Sequence, residues 1–262
     1  MTDSVLLSID DRGVARLHLN RAELHNAFDD SLIRDLTHHL QQLQSNPAVR
    51  VLVLSAEGKS FSAGADLNWM KRMAGYSEAQ NLADAMDLAG LMHILHTLRI
   101  PTIARVQGAA FGGGVGLLAC CDLVVASEAA SFCLSEVKLG LIPAVISPYV
   151  VGKLGASQAR RYFLTAERFD AATAHRLGLV HEVTTADHLD EQVNSWIKLL
   201  LANGPHAMAA AKQLIDRVSH SAIDDALIHD TAQRIAHIRA SQEGKEGLNA
   251  FLEKRPPAWI RL

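Results

Sequence analysis

The segment that decides the fold is residues 102–126, which read TIARVQGAAFGGGVGLLACCDLVVA. Its first part, Thr102–Gln107, and its last part, Leu123–Ala126, are short runs typical of buried strands. Between them lies a glycine-rich loop that leads into a short helical run. The segment therefore predicts a strand, a loop, a helix and a second strand, which is a repeating unit of a parallel sheet.

The same alternation of strands and helices continues towards the N-terminus. Further strands are predicted at Val5–Ile9, Val14–Leu19 and Val49–Ser55. From Ser157 onward the apolar spacing becomes almost wholly helical. The sequence predicts one integrated unit of class α/β, with a helical tail that either covers the body or mediates assembly between subunits.

Composition narrows the class of protein. The chain has 262 residues, 49% hydrophobic and 20% charged, which fits a globular protein and excludes a disordered or fibrous one. A formal net charge of −3 gives no basic excess for binding nucleic acid or an anionic membrane. The N-terminal residues show no secretory signal, and the apolar stretch Gly108–Cys121 is shorter than the roughly 20 residues of a membrane helix. We therefore expect a soluble, cytoplasmic protein.

Metal and redox sites are not predicted. The three cysteines, Cys120, Cys121 and Cys133, include no Cys-x-x-Cys spacing. The pair His93 and His96 has no third ligand nearby in the sequence. We expect no bound metal ion.

Two glycine-rich loops stand out, Phe61–Leu67 and Gln107–Leu117, because each follows a predicted strand and precedes a helical run. Such loops present bare backbone N–H groups, which can stabilise negative charge that develops on a substrate oxygen. Either loop alone is better explained by tight turns and close helix–sheet packing. Their shared position in two strand–loop–helix units favours a site for an anion or oxyanion.

Glu136 is the candidate acid or base, because an apolar setting disfavours its charged form and so permits proton transfer near neutral pH. The alternative is a surface ion pair with Lys138. A second interpretation is a nicotinamide site. Gly114–Ala119 matches a relaxed dinucleotide fingerprint, and Glu136 lies about 20 residues beyond it, where a ribose-binding acid is expected. A nicotinamide cofactor is disfavoured, because no strand is predicted directly before that fingerprint.

Three segments carry a resemblance to the enoyl-CoA hydratase/isomerase (crotonase) family: Phe61–Asp66, Gln107–Asp122 and Phe132–Pro143. The resemblance extends from Leu19–Arg21 to Ala250–Arg255, nearly the whole chain. It implies a crotonase-type spiral of ββα units over residues 1–195, which holds the CoA-thioester site, and a C-terminal helical trimerisation region over residues 196–262. A homotrimer or a dimer of trimers is expected. Coenzyme A enters as part of the substrate, so no separate cofactor is expected.

The resemblance also implies the site residues. It maps the two oxyanion donors onto the backbone amides of Ala63 and Gly113, and the acid/base onto Glu136. The expected substrate-binding residues are Ala63, Gly64, Ala65, Asp66, Gly113, Gly116, Phe251 and Lys254, the last two reaching the CoA of a neighbouring subunit. Well-known hydratases of the family have a first glutamate where this chain has Gly116. Only one of the two expected carboxylates is therefore present.

The implied activity is addition of water to an α,β-unsaturated acyl-CoA thioester. The run Phe132–Tyr149 is similar to bacterial hydratases that act on methylglutaconyl-CoA or isohexenylglutaconyl-CoA in leucine and acyclic-terpene breakdown. A substrate carboxylate, or a polar group such as Ser135, is expected to supply the missing contact to water. One alternative is a double-bond isomerase, which needs only one acid/base. The other is a relative without catalysis or one that binds RNA.

Overall fold

The computed structural model describes residues 3–219 and 221–260. The ends of the two expected regions, residues 1–2 and 261–262, and residue 220 lie outside this description. Within the described residues the strands are β1 (Val5–Ile9), β2 (Val14–Leu19), β3 (Val51–Ala56), β4 (Ser60–Ser62), β5 (Thr102–Val106), β6 (Ala109–Phe111), β7 (Leu123–Ser127), β8 (Ser131–Cys133), β9 (Phe169–Asp170) and β10 (Glu182–Thr184). The α-helices are α1 (Asp30–Ser45), α2 (Leu67–Met73), α3 (Glu78–His96), α4 (Gly113–Cys120), α5 (Ser147–Thr165), α6 (Ala171–Arg176), α7 (Leu189–Leu201), α8 (Pro205–Ser219), α9 (Asp225–Ala240) and α10 (Gln242–Leu252).

The strands form two sheets. The larger sheet has the order β1-β2-β3-β5-β7-β10 and is parallel apart from the β1–β2 hairpin. The smaller sheet has the order β4-β6-β8-β9, and its first three strands are parallel. The expected α/β class is confirmed.

A ββα unit repeats three times and generates the expected spiral. Strands β3, β5 and β7 each join the larger sheet, and the strand that follows each of them joins the smaller sheet. A helix or helix pair follows in every unit: α2 with α3, then α4, then α5. The two glycine-rich loops leave β4 and β6, so they emerge side by side from neighbouring strands of the smaller sheet.

The central strand β3 is buried on both faces, as its apolar run predicts. Leu52 and Leu54 belong to the main core, whereas Val51 and Val53 belong to a second cluster beneath α7. Side chains of successive strand residues point to opposite faces, so one strand serves both clusters. This packing stabilises the larger sheet, and β4, from which the first glycine-rich loop leaves, follows β3 in the chain.

Helix α7 crosses the expected boundary between residues 195 and 196. Its buried residues Leu189, Val193 and Ile197 lie on both sides of that boundary and pack in one cluster against the larger sheet. A helix seals this face of the sheet, because otherwise its apolar side chains would meet water. The body therefore extends to the end of α7, and the helices beyond it are α8, α9 and α10.

A partly buried ion pair between Lys212 and Asp122 joins helix α8 to the body. The Lys212 ammonium lies 2.8 Å from Asp122 Oδ2, and that oxygen also accepts hydrogen bonds from the amide and hydroxyl of Thr102.

Among the described residues, no helix is long and apolar enough to cross a membrane. The same part of the chain holds no group of three or more His, Cys, Asp or Glu placed to bind a metal ion.

Candidate active site

The two glycine-rich loops meet at their glycines. A Cβ built on Gly112 would lie 3.9 Å from the Cα of Gly64, and a Cβ built on Gly64 would lie 3.4 Å from the carbonyl oxygen of Phe111. Both glycines have positive φ angles, +93° at Gly64 and +50° at Gly112, a region that L-residues with side chains rarely adopt. The close approach and the sharp turns both depend on glycine.

The first loop is fixed by backbone pairing with Phe28. The Phe28 amide donates to the Gly64 carbonyl at 2.7 Å, and the Asp66 amide donates to the Phe28 carbonyl at 2.7 Å. This parallel bridge points the Gly64 carbonyl and the Asp66 amide towards Phe28. In a trans peptide the N–H lies opposite the carbonyl of the preceding residue. The amide of Ala65 itself therefore points to the opposite side.

The expected oxyanion donor in this loop needs correction. The Ala63 amide donates to the carbonyl of His25 at 3.0 Å, so its proton is already used within the fold. The Ala65 amide takes part in no backbone hydrogen bond among the described residues, and Ala65 lines the cavity described below. Ala65, two residues further along the same loop, is the amide that remains available for a ligand.

The second loop presents its donors at a helix N-terminus. Helix α4 begins at Gly113, and the Gly112 amide is held by the Cys133 carbonyl at 2.9 Å. The first amides of a helix have no partner inside it, and the helix dipole adds partial positive charge there. The ring of Phe28 covers the Cα of Gly113, with a Cβ built there only 3.2 Å from Phe28 Cε2. The Gly113 amide is therefore an available donor in a sheltered setting.

Glu136 opens a short 3₁₀ turn, Glu136–Leu139, which follows β8 after Leu134 and Ser135. Its Oε1 would lie 3.1 Å from a Cβ on Gly112, which places the carboxyl against the second loop. Its Oε2 is buried and has no hydrogen-bond partner among the described residues. Burial raises the pKa of the Glu136 carboxyl above its ordinary value. An unpartnered buried carboxyl of this kind is suited to proton transfer rather than to an ion pair with Lys138.

The raised pKa has a consequence for stability. The unfolded chain ionises Glu136 at its ordinary pKa, whereas the folded chain ionises it only at higher pH, so ionisation disfavours the folded state. The stability that this group contributes is present at low pH and is lost as the pH rises through the folded-state pKa. We therefore expect Glu136→Gln to unfold at a higher denaturant concentration than the wild type near pH 8, and at a similar one near pH 4.

The check is chemical denaturation of both proteins across this pH range. The exposed residue Glu128 supplies a matched control, because Glu128→Gln removes the same charge outside the cavity. A difference between wild type and Glu136→Gln that shrinks as the pH rises would contradict the expected sign.

A cavity of about 350 Å³ lies where the loops and Glu136 meet. Apart from Ser135 and Glu136, the side chains that line it are apolar. Helices α2 and α3 contribute Trp69, Met70, Met73 and Leu88. Among the described residues that line it, Glu136 alone has an ionisable side chain. The cavity therefore fits a largely apolar group, with polar chemistry confined to the Glu136 carboxyl, the Ser135 hydroxyl and a few backbone amides.

Five of the expected site residues line this cavity: Ala63, Gly64, Ala65, Gly113 and Glu136.

The other four lie elsewhere. Asp66 caps helix α2, accepting hydrogen bonds from the amides of Asn68 and Trp69, and so it holds the loop rather than lining the cavity. Gly116 is buried in α4 behind the cavity wall. Phe251 and Lys254 stand at the end of α10, where Phe251 is 81% exposed.

The sequence reasoning did not single out the lining residue Phe28, and it included Ile146 only as part of the run Phe132–Tyr149. Phe28 pairs with the first loop and covers Gly113, and Ile146 precedes helix α5. Nothing in their local sequence marks them, because each acts through contacts with residues some 30 or more positions away. For Ile146 the available signal is its place in the apolar run Ala144–Ile146, directly after Pro143.

Known proteins resemble this chain over nearly its full length. The sequence profile described as enoyl-CoA hydratase/isomerase matches residues 10–261. A putative enoyl-CoA hydratase of Thermus thermophilus is 32% identical over 96% of this chain and 99% of its own. The 2,3-dehydroadipyl-CoA hydratase of Escherichia coli is 33% identical over 93% of this chain and 94% of its own.

A solved structure is closer in sequence. The crystal structure of an enoyl-CoA hydratase from Shewanella pealeana superposes with a TM-score of 0.96 at 50% identity, covering 98% of this chain and 96% of that one. The expected crotonase-type fold is thereby confirmed, and so is the expectation of an enzyme. The match spans both sheets, both glycine-rich loops and the helical tail, and on this evidence the chain belongs to the enoyl-CoA hydratase/isomerase family.

Proposed function

We propose that the chain hydrates α,β-unsaturated acyl-CoA thioesters, with Glu136 as the single acid/base. The observation that carries this proposal is the half-buried Glu136 carboxyl, whose Oε2 is buried and unpartnered among the described residues, in a largely apolar cavity flanked by two sets of backbone donors. Relatives of similar length are named enoyl-CoA hydratases, which supports the reaction class.

In the proposed reaction the thioester oxygen lies between the amides of Ala65 and Gly113. Water attacks the β-carbon while the Glu136 carboxylate takes a proton from that water. The electron pair of the double bond moves to the thioester oxygen, and the resulting enolate is stabilised by the two amides and the α4 dipole. The Glu136 carboxylic acid then returns its proton to the α-carbon, which restores the carboxylate and completes the hydration.

With one carboxylate the attacking water needs another anchor. Ser135 lines the cavity directly beside Glu136, and its hydroxyl can both donate and accept. We assign Ser135 as the group that helps to orient the water. None of the described lining residues is cationic, so a substrate carboxylate would remain at the cavity opening, where solvent reaches it.

We propose a branched acyl group, such as that of methylglutaconyl-CoA from leucine degradation, as the substrate. The apolar walls support a methyl branch inside the cavity, and the opening accommodates a terminal carboxylate. The flexible side chains of Met70 and Met73 can adapt to an irregular acyl shape.

Assembly into a trimer or a pair of trimers is also proposed, with Phe251 and Lys254 contacting the CoA bound by a neighbouring subunit. In support, the exposed side of α10 carries Leu248, Phe251 and Leu252, a cluster that burial against another copy would stabilise. A cytoplasmic location and the absence of nucleic-acid partners stay predictions.

The alternative activity is movement of the double bond along the acyl chain. It is favoured by one observation, that Glu136 is the sole ionisable residue among the described residues lining the cavity. An isomerase needs one group that removes a proton from one carbon and returns it to another, and it needs no bound water.

The test incubates the purified protein with crotonyl-CoA and with methylglutaconyl-CoA, following the absorbance of the conjugated bond and the product mass. We expect products heavier by one water, and a higher kcat/KM for the branched, carboxylated substrate. A product of unchanged mass would establish the isomerase instead. A much higher kcat/KM for crotonyl-CoA than for methylglutaconyl-CoA would overturn the branched-substrate proposal. If the protein reacted with neither substrate, the proposed hydration would be overturned.

A further inference from the structure

Gly116 and Ile146 occupy one shared space. A Cβ built on Gly116 would lie 2.3 Å from Ile146 Cγ2 and 3.0 Å from Ile146 Cβ. The next neighbour is Met92 Cε at 3.2 Å. Real Cβ atoms do not approach carbon this closely, so the Ile146 side chain fills the space into which any side chain at position 116 would extend.

Ile146 also forms part of the cavity wall. It lines the cavity that contains Glu136, whereas Gly116 does not line it. Ile146 is 3% exposed and is held at the start of helix α5, directly before Ser147–Thr165. Its side chain therefore separates the acyl cavity from the backbone of α4 at Gly116.

We propose that Ile146 is a specificity-determining residue, whose side chain fills the space in front of Gly116 and so limits the size of the acyl group that the cavity accepts. This inference rests on the proposed acyl-CoA function, because it assigns the cavity to the acyl chain. Gly116 is the necessary counterpart, since only a residue without a side chain leaves room for Ile146.

The pairing predicts a stability effect of unusual sign. Replacing a helical glycine by alanine ordinarily stabilises a helix. At Gly116 the added methyl overlaps Ile146, so Gly116→Ala is expected to lower the melting temperature by roughly 5 °C. Ile146→Ala removes Cγ2, the closest atom, and leaves Cβ 3.0 Å from the added methyl. Gly116→Ala is therefore expected to cost much less stability in the Ile146→Ala background than in the wild type.

The matched control for this cycle is Val145→Ala, which trims the neighbouring lining residue without vacating the space beside Gly116. Rescue by Ile146→Ala and not by Val145→Ala supports the pairing. A Gly116→Ala protein that is as stable as the wild type, or equal rescue by both variants, overturns it.

The specificity test measures binding of saturated acyl-CoA thioesters, which cannot be hydrated, by calorimetry. The probes are butyryl-CoA, hexanoyl-CoA and 3,3-dimethylbutyryl-CoA. Ile146→Ala opens space for about two further carbons, so the affinity for each larger acyl group relative to butyryl is expected to rise roughly tenfold.

Ile103→Ala controls for general loosening of the fold. It removes the same atoms from the cluster beneath α7, away from the cavity, and is expected to keep the wild-type order of affinities. If the affinities relative to butyryl-CoA were unchanged in Ile146→Ala, or shifted equally in Ile103→Ala, the role of Ile146 alone would be overturned. Failure of the wild type to bind any of the thioesters would overturn the proposed function, and the role of Ile146 with it.

Discussion

Replacing Glu136 with glutamine is expected to lower kcat for enoyl-CoA hydration by about 10²–10⁴-fold. Glutamine keeps the size of the side chain but can neither take a proton from water nor return one to carbon. Because Glu136 is the sole ionisable residue among the described residues lining the cavity, no other side chain there can take over the transfer. KM is expected to change little, since the lost interaction is made mainly in the transition state.

Steady-state kinetics on crotonyl-CoA and methylglutaconyl-CoA check this result. Glu128→Gln, the exposed control used above, is expected to keep the wild-type rate. In the wild type, the raised pKa of Glu136 means that the rate falls on acidification at a higher pH than an ordinary glutamate would give. A Glu136→Gln enzyme within tenfold of the wild type would show that this carboxyl is not the acid/base.

The second large effect is expected at Gly112. Alanine at this position adds a Cβ only 3.1 Å from Glu136 Oε1, and the backbone there has φ +50° and ψ −118°. The added methyl displaces the carboxyl, and the strained backbone shifts the amide of Gly113 that follows it. A misplacement of about 1 Å in either group is expected to lower kcat by about 10²-fold.

Gly155→Ala is the matched control for backbone strain. Gly155 also has a positive φ, +72°, but a Cβ there meets nothing within 4 Å, and Gly155 lies outside the cavity lining. It is expected to lower the melting temperature while kcat stays near the wild-type value. In the double variant Gly112→Ala with Glu136→Gln the carboxyl is already disabled, so Gly112→Ala should slow Glu136→Gln less than it slows the wild type, and only through the shifted Gly113 amide. Equal activity losses in the Gly112 and Gly155 variants would assign the effect to strain alone.

Local sequence was sufficient to locate the centre of the site. The two glycine-rich loops and Glu136 were predicted from residue type and spacing, and the structure brings them to one cavity. The three-residue strands β4, β6 and β8 were missed, because a run of three residues is too short to show alternation. Strand β6 ends at Phe111, nearer to Gly114 than expected, but helix α4 already begins at Gly113. The fingerprint therefore lies inside the helix and not in the loop that leaves the strand.

Choosing the correct amide in the first loop required the backbone itself. Ala63 and Ala65 are the same residue type, and only the bond from Ala63 to the His25 carbonyl distinguishes them. That bond depends on the turn at Gly64 and on the strand-like pairing with Phe28, neither of which leaves a local pattern. The contact between Gly116 and Ile146 escaped for a related reason, since it joins two helices 30 residues apart in sequence.

The start of helix α5 was also placed too late, at Ser157 rather than Ser147. Gly155 interrupts the helix with φ +72° and ψ 156°, so the apolar spacing is continuous only beyond it. The boundary after residue 195 fell inside α7 because a sequence pattern does not show which surface a helix covers.

The central claim is that Glu136 moves a proton at the α-carbon of a thioester whose enolate is stabilised by backbone amides. Its most direct test is exchange of the α-hydrogens of butyryl-CoA in D₂O, followed by mass spectrometry, because this step involves neither hydration nor isomerisation. The wild type is expected to incorporate deuterium at the α-carbon, and Glu136→Gln to do so at least about 10²-fold more slowly. Equal exchange by the two proteins, or none by the wild type, would contradict the account.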